Sequence, residues 1–176
     1  MMHVGIIGCG LVGRKRSTQL HNARLVWCCD YNYDLAESLS DNHKEKPYVT
    51  SDWQRVVDDG LVDTVIVATT HNMLAPIAKA AIEAGKHVLV EKPVCKDVSE
   101  LQTLIEAKNK SKSLVRVGFN HRYHPAVMKA RELLDQGVIG ELMHMRARYG
   151  HGGRKGYDRE WRANPNLAAG GELVEQ

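Results

Sequence analysis

The sequence predicts an α/β fold in which a doubly wound parallel sheet is followed by the beginning of an incomplete α+β domain. Short apolar runs rich in β-branched residues alternate six times with helix-like stretches, an order typical of parallel strands joined by helices. The first apolar run leads directly into a glycine-rich turn. From residue 121 the alternation gives way to a different pattern. We therefore expect one domain over residues 1–120, with the sheet, and part of a second over residues 121–176.

The glycine-rich turn begins where the first predicted strand, residues 3–7, ends. Its sequence is Gly8-Cys9-Gly10-Leu11-Val12-Gly13, and a helix-like stretch follows from Arg14 to about His21. In this pattern the first glycine permits a tight turn, the second lets the backbone approach a pyrophosphate, and the third lets helix and strand pack closely. A purely structural turn is the alternative. The candidate cofactor-binding residues of the turn are Gly8, Gly10, Leu11, Val12 and Gly13.

A second apolar run, residues 25–29, ends in Asp30. The distance from the glycines is close to the ~20 residues expected for a carboxylate that binds the adenosine ribose. A 2′-phosphate at this place would meet like charge, so the sequence predicts NAD rather than NADP. The basic trio Arg14-Lys15-Arg16 could approach a phosphate, but charge runs usually form a solvated helix face, which is the interpretation we favour.

The remaining elements of the first domain follow in order. We expect helices at residues 34–43, 73–84 and 98–110, a helix through residue 58 that Ser51 or Asp52 can cap, and strands at residues 47–49, 63–68, 87–90 and 114–118. Ligands of such folds bind at the carboxyl ends of the parallel strands. The polar residues that follow two of the strands are therefore candidates for a cofactor site: Thr69, Thr70, Glu91 and Lys92.

The pattern after residue 120 is different. A helix is expected from Pro125 to about Gln136, closed by Gly137, and the alternation from Glu141 to Tyr149 predicts a strand. The next stretch, residues 150–171, is rich in glycine, arginine and aromatic residues and has no clear period. We interpret these segments as the first third of a second domain.

Composition limits the classes of function. Charged residues make up 26% of the chain, the net charge is +3, and the basic residues are dispersed, so we expect no nucleic-acid partner. The cysteines lack CxxC spacing, predict no metal site, and fit reduced, buried residues of a cytoplasmic protein. No apolar run is long enough to cross a membrane, and the first strand leaves no room for a signal peptide. The four cysteines are Cys9, Cys28, Cys29 and Cys95.

Taken together, these motifs make the chain similar to the Gfo/Idh/MocA family of NAD(P)-dependent oxidoreductases. The most specific motif is the run Ala-Gly-Lys-His-Val-Leu-Val-Glu-Lys-Pro at residues 84–93. The resemblance implies a Rossmann domain followed by an α/β domain that carries substrate contacts and often an oligomer interface, so we expect a homo-oligomer. It also implies oxidation or reduction of a carbinol of a sugar, cyclitol or sugar derivative. Further matching motifs lie at residues 8–13 with Asp30, 118–123, 140–142 and 170–173.

The resemblance also assigns roles to single residues. Hydride transfer from a secondary alcohol needs a base for the hydroxyl proton. The resemblance gives Lys92 this proton-handling or substrate-orienting role, with Glu91 beside it; a surface lysine in a turn is the alternative. Arg122, Tyr149 and Trp161 are candidate substrate contacts, since arginine and aromatic side chains suit hydroxylated ligands. Residues around Tyr149 and Trp161 fit a disordered loop equally well.

Two departures from the family pattern leave alternatives open. Thr70, His71 and Leu74 stand where many members have Pro-Asn-x-x-His, so His71 is either a helix-start residue or a ligand. At the other end, the acid/base histidine of the family would lie just beyond Gln176. One hypothesis is an oxidoreductase whose sequence is given in part. The other is a catalytically inactive NAD-binding module that acts through its cofactor or a partner; an intact Lys92 favours the first.

Overall fold

The computed structural model of the protein describes residues 1–148, 150 and 155–169. Two compact units divide the chain. The first comprises Met1–Gly118 together with the chain from Glu160 on, and the second comprises Phe119–Arg159. The expected domains, residues 1–120 and 121–176, stay a prediction, because these units describe packing within the chain.

A six-stranded sheet forms the centre of the first unit. All its strand pairs are parallel, in the order β3-β2-β1-β4-β5-β6. This order confirms the doubly wound sheet and places the point where the winding reverses between β1 and β4, the place where such sheets bind ligands. The strands are β1 (Met2–Ile7), β2 (Ala23–Cys29), β3 (Tyr48–Thr50), β4 (Thr64–Val67), β5 (His87–Val90) and β6 (Val115–Val117).

The register brings the carboxyl ends of the central strands to one edge. Ile7 at the end of β1 pairs with Cys29 of β2 and with Val67 of β4. Val67 in turn pairs with Val90 at the end of β5. The segments that follow these strands therefore begin side by side.

The helices lie close to their predicted positions. Side-chain caps start four of them: Asn32 accepts from the Asp34 amide, Asp52 from the Gln54 amide, Asp97 from the Glu100 amide and His124 from the Ala126 amide. The first helix is shorter than the predicted stretch to His21. The helices are α1 (Leu11–Ser17), α2 (Tyr33–Asp41), α3 (Trp53–Asp58), α4 (His71–Glu83), α5 (Val98–Asn109) and α6 (Pro125–Asp135).

Apolar side chains cover both faces of the sheet. Adjacent residues of β4 enter different clusters, Val65 one and Ile66 the other. Cys28 and Cys29 divide in the same way, as expected for neighbours in a strand. The larger cluster includes the buried face of α4, and the smaller one includes Leu39 of α2. A strand buried on both faces explains why the β4 sequence is apolar without alternation.

In the part that the structure describes, the second unit consists of α6, the 3-10 turns Asn120–Tyr123 and Tyr157–Arg159, and irregular segments. Residues 141–148 form no strand, so the prediction of a strand from Glu141 to Tyr149 is wrong over these residues; Tyr149 lies outside the described residues. A strand needs a neighbour for its backbone hydrogen bonds, and the described residues of this unit contain no other strand.

None of the helices in the described ranges is long and apolar enough to span a membrane.

Candidate functional site

Two glycines shape the turn between β1 and α1. Gly8 has a φ of +99°, in the left-handed region, and a Cβ there would overlap the backbone of Ala68. A Cβ on Gly13, in the first turn of α1, would overlap the carbonyl oxygen of Gly8. Only glycine fits such close backbone approaches. These two residues thus set the turn against the strand ends.

Gly10 borders open space instead. A Cβ at this position would meet nothing within 4 Å. The Arg14 amide donates to the Gly10 carbonyl over 3.0 Å, so the amides of Leu11, Val12 and Gly13 precede the helical hydrogen-bond ladder. The turn therefore presents amide donors beside open space, an arrangement that suits an anionic ligand.

Asp30 directly follows β2 and lies against this turn. Its Oδ2 accepts from the Cys9 amide over 2.7 Å, and its Oδ1 accepts from the Asn32 amide over 2.9 Å. A carboxylate oxygen has two acceptor sites, so each oxygen keeps one for a ligand hydroxyl. The structure brings the glycine turn and Asp30 together, as their spacing predicts.

The buried thiols beside the turn stay neutral. Burial and the nearby carboxylates of Asp30 and Asp52 raise the pKa of Cys29 to about 12. The neighbouring Cys28 thiol and burial raise the pKa of Cys9 far above its ordinary value. A neutral thiol adds no negative charge next to the anion-binding turn, which is consistent with the small apolar role predicted for these cysteines.

Arg16 corrects the interpretation of the basic trio as a solvated helix face. Its Nε donates to Glu91 Oε1 over 2.6 Å, and its guanidinium makes a second contact with the same oxygen. Glu91 is buried, and a buried carboxylate requires such a partner. Only Lys15 of the trio is exposed. The ion pair connects α1, which follows the glycine turn, to the end of β5.

Arg14 is also held by the fold. Its Nε donates to the Cys9 carbonyl over 3.2 Å and its Nη2 to Ser38 Oγ over 3.1 Å. The sequence did contain a signal for Arg16. It stands three residues after Gly13, hence on the helix face that the third glycine of the pattern turns toward the strand. The residues of a charged run on a helix therefore lie on different faces, and each face has to be considered separately before its residues are predicted to be exposed to solvent.

Glu91 and Lys92 follow β5 at the same edge of the sheet. The Glu91 amide donates to the Val67 carbonyl over 2.9 Å. Gly118, after β6, lies so close that a Cβ there would stand 2.6 Å from Glu91 Oε2. Lys92 is half-buried, and its peptide bond to Pro93 is cis. Lys92 thus lies next to the carboxylate of Glu91, which Arg16 binds and for which Gly118 leaves space.

His71 is the first residue of α4, which agrees with its interpretation as a helix-start residue. Its side chain is buried. Its Nδ1 accepts from the Ala169 amide over 3.0 Å. Its ring meets the Trp161 ring edge to face, with centroids 4.7 Å apart. Burial and the charges of Lys92 and Arg162 lower the pKa of His71 to about 4. The imidazole is therefore neutral at ordinary pH.

The two threonines after β4 are half-buried and locally bonded. Thr69 Oγ1 donates to the Thr70 carbonyl over 3.1 Å. Thr70 Oγ1 donates to Asn72 Oδ1 over 2.7 Å. Both lie at the edge where β1 and β4 end, and their contact with a cofactor stays a prediction.

The candidate substrate residues are divided between the two units. Trp161 lies in the first unit, against His71. Arg122 lies in the second, in the 3-10 turn Asn120–Tyr123, with its guanidinium 5.5 Å from the centre of the Phe119 ring. Tyr149 lies outside the described residues. The structure therefore packs Trp161 on His71, the residue whose pKa is lowered by the charge of Lys92, and the substrate roles of all three residues stay predictions.

Comparison with protein families assigns the chain. Residues 2–119 match the model of the Gfo/Idh/MocA oxidoreductase family with its NAD-binding Rossmann fold, and residues 127–176 match the C-terminal domain of that family. The chain belongs to this family. The resemblance inferred from its motifs is thereby confirmed, together with the Rossmann-type sheet and NAD as the cofactor of the family.

Curated relatives are dehydrogenases of sugars and cyclitols. Levoglucosan dehydrogenase of Pseudarthrobacter phenanthrenivorans is 35% identical over 117 residues, which are 66% of this chain and 28% of that protein. Inositol 2-dehydrogenase of Salmonella typhimurium is 28% identical over 153 residues, which are 84% of this chain and 46% of that protein. The matched part of the chain thus covers less than half the length of each of these relatives.

Solved structures agree with this assignment. Levoglucosan dehydrogenase in complex with NADH and levoglucosan superposes with a TM-score of 0.69 at 31% identity, over 79% of this chain and 40% of the other. Myo-inositol dehydrogenase of Lactobacillus casei, in complex with NAD(H) and myo-inositol, gives 0.75 at 25% identity, over 80% and 43%.

Proposed function

We propose that this chain takes part in the NAD-dependent oxidation or reduction of a secondary hydroxyl on a sugar, cyclitol or sugar derivative. The observation that carries the proposal is the position of Lys92. It follows β5 at the sheet edge where the glycine turn and Asp30 also lie. Its positive charge contributes to the lowered pKa of His71 at the start of α4. A lysine placed there can exchange a proton with a hydroxyl bound in the crevice.

The residues of the turn fit a dinucleotide. Open space over Gly10 admits a pyrophosphate, and the amides of Leu11 and Val12 are placed to donate to it. The fixed carboxylate of Asp30 suits the two ribose hydroxyls of an adenosine and disfavours a 2′-phosphate. Thr69 and Thr70 are proposed as further contacts. Glu91 would act through its ion pair with Arg16, by holding the end of β5 against α1.

The proton and the hydride take separate routes in this reaction. NAD, when bound, supplies an acceptor for the hydride that leaves the carbinol carbon. Lys92 Nζ is proposed to accept the proton of the hydroxyl as the carbonyl forms, and to return it in the reverse direction. Trp161 is proposed to orient the polyol from beside His71. The substrate role of Arg122 stays a prediction from the sequence.

Calorimetric titration of NAD and NADP into the chain tests the cofactor proposal. We expect NAD to bind at least about tenfold more tightly than NADP, because the Asp30 carboxylate repels a 2′-phosphate. Gly10→Ala should weaken NAD binding and leave the free energy of unfolding nearly unchanged, since its Cβ would enter open space. Gly60→Ala, also in open space but far from the turn in sequence, is the matched control. Binding of neither nucleotide would contradict the proposal.

Turnover tests the role of Lys92. With NAD, a panel of cyclitols and sugars is screened by the absorbance of the reduced nicotinamide. Lys92→Gln should bind NAD like the parent chain and lose at least about a hundredfold in turnover, as expected on removal of a general base. Full turnover by this variant would refute the assignment. NAD binding by the parent chain without turnover on any substrate would favour the inactive NAD-binding module.

Self-association is proposed for the second unit. Met143 and Met145 are 87% and 79% exposed, and apolar surface of this kind promotes contact between copies. Light scattering of the eluting chain should show a mass above that of the monomer. Met143→Lys combined with Met145→Lys should shift the equilibrium toward monomer, and an unchanged mass would contradict this assignment.

A further inference from the structure

We propose that His71 is a positioning residue, which as a neutral imidazole holds the segment of residues 161–169 against the start of α4 beside Lys92. The inference rests on the proposed function in one respect, because the segment contains the candidate substrate contact Trp161. It assigns a task to His71, for which the sequence leaves a helix-start residue and a ligand as alternatives.

Three contacts join the 161–169 segment to the first two residues of α4. The Ala169 amide donates to His71 Nδ1, and the Asn72 amide donates to the Leu167 carbonyl over 3.2 Å. The Trp161 ring packs edge to face on the imidazole. Between these contacts Ala168 is buried. A segment without a strand or an α-helix is therefore fixed at both of its ends by the same histidine.

The hydrogen bond requires a defined form of the imidazole. Nδ1 can accept from the Ala169 amide only while it carries no proton, so the neutral ring carries its proton on Nε2. Protonation would place an N–H on Nδ1, facing the donor of Ala169. The groups that favour the neutral form are Lys92, after β5, and Arg162, next to Trp161, together with burial. Both are cations, and both lie on elements that meet at this site.

This arrangement explains how Trp161 is held at the start of α4. Short 3-10 turns, such as Trp161–Ala163, have few internal hydrogen bonds and depend on outside contacts for their position. His71 provides such a contact from α4, which is anchored in the core through Leu74 and Ile77. Through His71, the well-packed helix α4 thus fixes the position of Trp161, which is proposed to contact substrate.

The first experiment needs neither a variant nor a ligand. Long-range ¹H–¹⁵N correlation spectra of the full chain at pH 7 report which ring nitrogen of each histidine is protonated. We expect the His71 signals to show a proton on Nε2 and an unprotonated Nδ1. A proton on Nδ1, or a charged ring at pH 7, would overturn the proposal.

Three variants separate the hydrogen bond from the ring. In His71→Asn, the side-chain oxygen stands where Nδ1 stood, and in His71→Gln it stands near the position of Nε2. We expect His71→Asn to keep the slow hydrogen exchange of the Ala169 amide. His71→Gln and His71→Ala should accelerate it at least about tenfold, because the acceptor is lost. Equal exchange in all four proteins would overturn the proposal.

A functional readout distinguishes positioning from a general loss of fold. If the chain turns over a polyol, His71→Ala should raise KM for the polyol more than it lowers kcat, and His71→Asn should restore KM. A proportional loss in kcat alone would contradict a positioning role. Should the parent chain bind no NAD, the proposed function fails, while the spectra and the exchange rates still decide the role of His71.

Discussion

Two helices of this protein, α4 in the first unit and α6 in the second, are held by different forces. The buried face of α4 includes Leu74, Ile77 and Ile82, which are almost completely shielded from solvent. α6 has no buried residue; its support is local, from the His124 cap and from ion pairs such as Arg131 with Asp135. Burial of a large apolar side chain stabilises by ~1.5–3 kcal/mol, and a helical side-chain pair by a few tenths. The free energy of unfolding therefore depends chiefly on the first unit.

The largest change in the free energy of unfolding is expected for a substitution in the buried face of α4. Leu74→Ala should lower the free energy of unfolding by ~3–5 kcal/mol, because the leucine is fully buried and leaves a cavity. Met128→Ala in α6 is the matched variant; its side chain is 54% exposed, and we expect a change below ~0.5 kcal/mol. Urea denaturation measures both. Similar losses in the two variants would show that the second unit contains a core comparable to the first.

The two units also differ in how closely their glycines are packed. Gly13→Ala should cost ~2–4 kcal/mol, since the new Cβ overlaps the Gly8 carbonyl and the backbone must move. Gly137→Ala, at the end of α6, places a residue at φ +70° in open space and should cost only ~1 kcal/mol. Thermal unfolding of both variants against the parent chain provides the measurement. A larger shift for Gly137→Ala than for Gly13→Ala would contradict the packing of the glycine turn.

The difference between the two units also explains which elements could be predicted from the sequence. In the first unit, the strand positions and the placement of Asp30 and Lys92 after strand ends followed from local patterns, because each strand has a parallel neighbour and apolar clusters cover both faces of the sheet. In the second, α6 carries its own start and stop signals, Pro125 and Gly137, and was predicted as well. The strand after residue 141 was not formed, since alternation alone supplies no hydrogen-bonding partner.

Contacts between distant side chains were beyond the sequence pattern. The ion pair of Arg16 with Glu91 spans 75 positions, and the bond from Ala169 to His71 spans 98. A local charge pattern gives the type of these residues but not the partner. The buried carboxylate of Glu91 requires a cationic partner, but nothing in the local sequence identifies Arg16 as that cation.

A third prediction compares an enclosed ion pair with an exposed one. In a double-mutant cycle with Arg16→Met and Glu91→Gln, we expect a coupling energy of ~2–3 kcal/mol, because removal of one partner leaves a buried charge without its counter-ion. The pair Arg131 with Asp135 on α6 is open to water, so its cycle should show no measurable coupling. Additive effects of Arg16→Met and Glu91→Gln would contradict the close contact at the end of β5.

The smallest expected effect concerns pH. The pKa of His71 lies at about 4 in the fold against an ordinary value of 6.5, so the unfolded chain binds more protons between these values. The contribution of His71 to the free energy of unfolding is therefore complete above pH 6.5 and declines as the pH falls toward 4. Between pH 7 and pH 5 we expect a loss of ~2 kcal/mol, at ~1.4 kcal/mol per pH unit.

A variant pair isolates this contribution from other titrating groups. His71→Asn keeps the acceptor but cannot titrate, so its free energy of unfolding should fall less between pH 7 and pH 5 than that of the parent chain. His144→Asn changes an exposed histidine of the second unit and should leave the parent's pH dependence intact. Urea denaturation at the two pH values measures the difference. Because the effect originates in the contact between α4 and the 161–169 segment, a parent-like pH dependence in His71→Asn would show that His71 is not held neutral there.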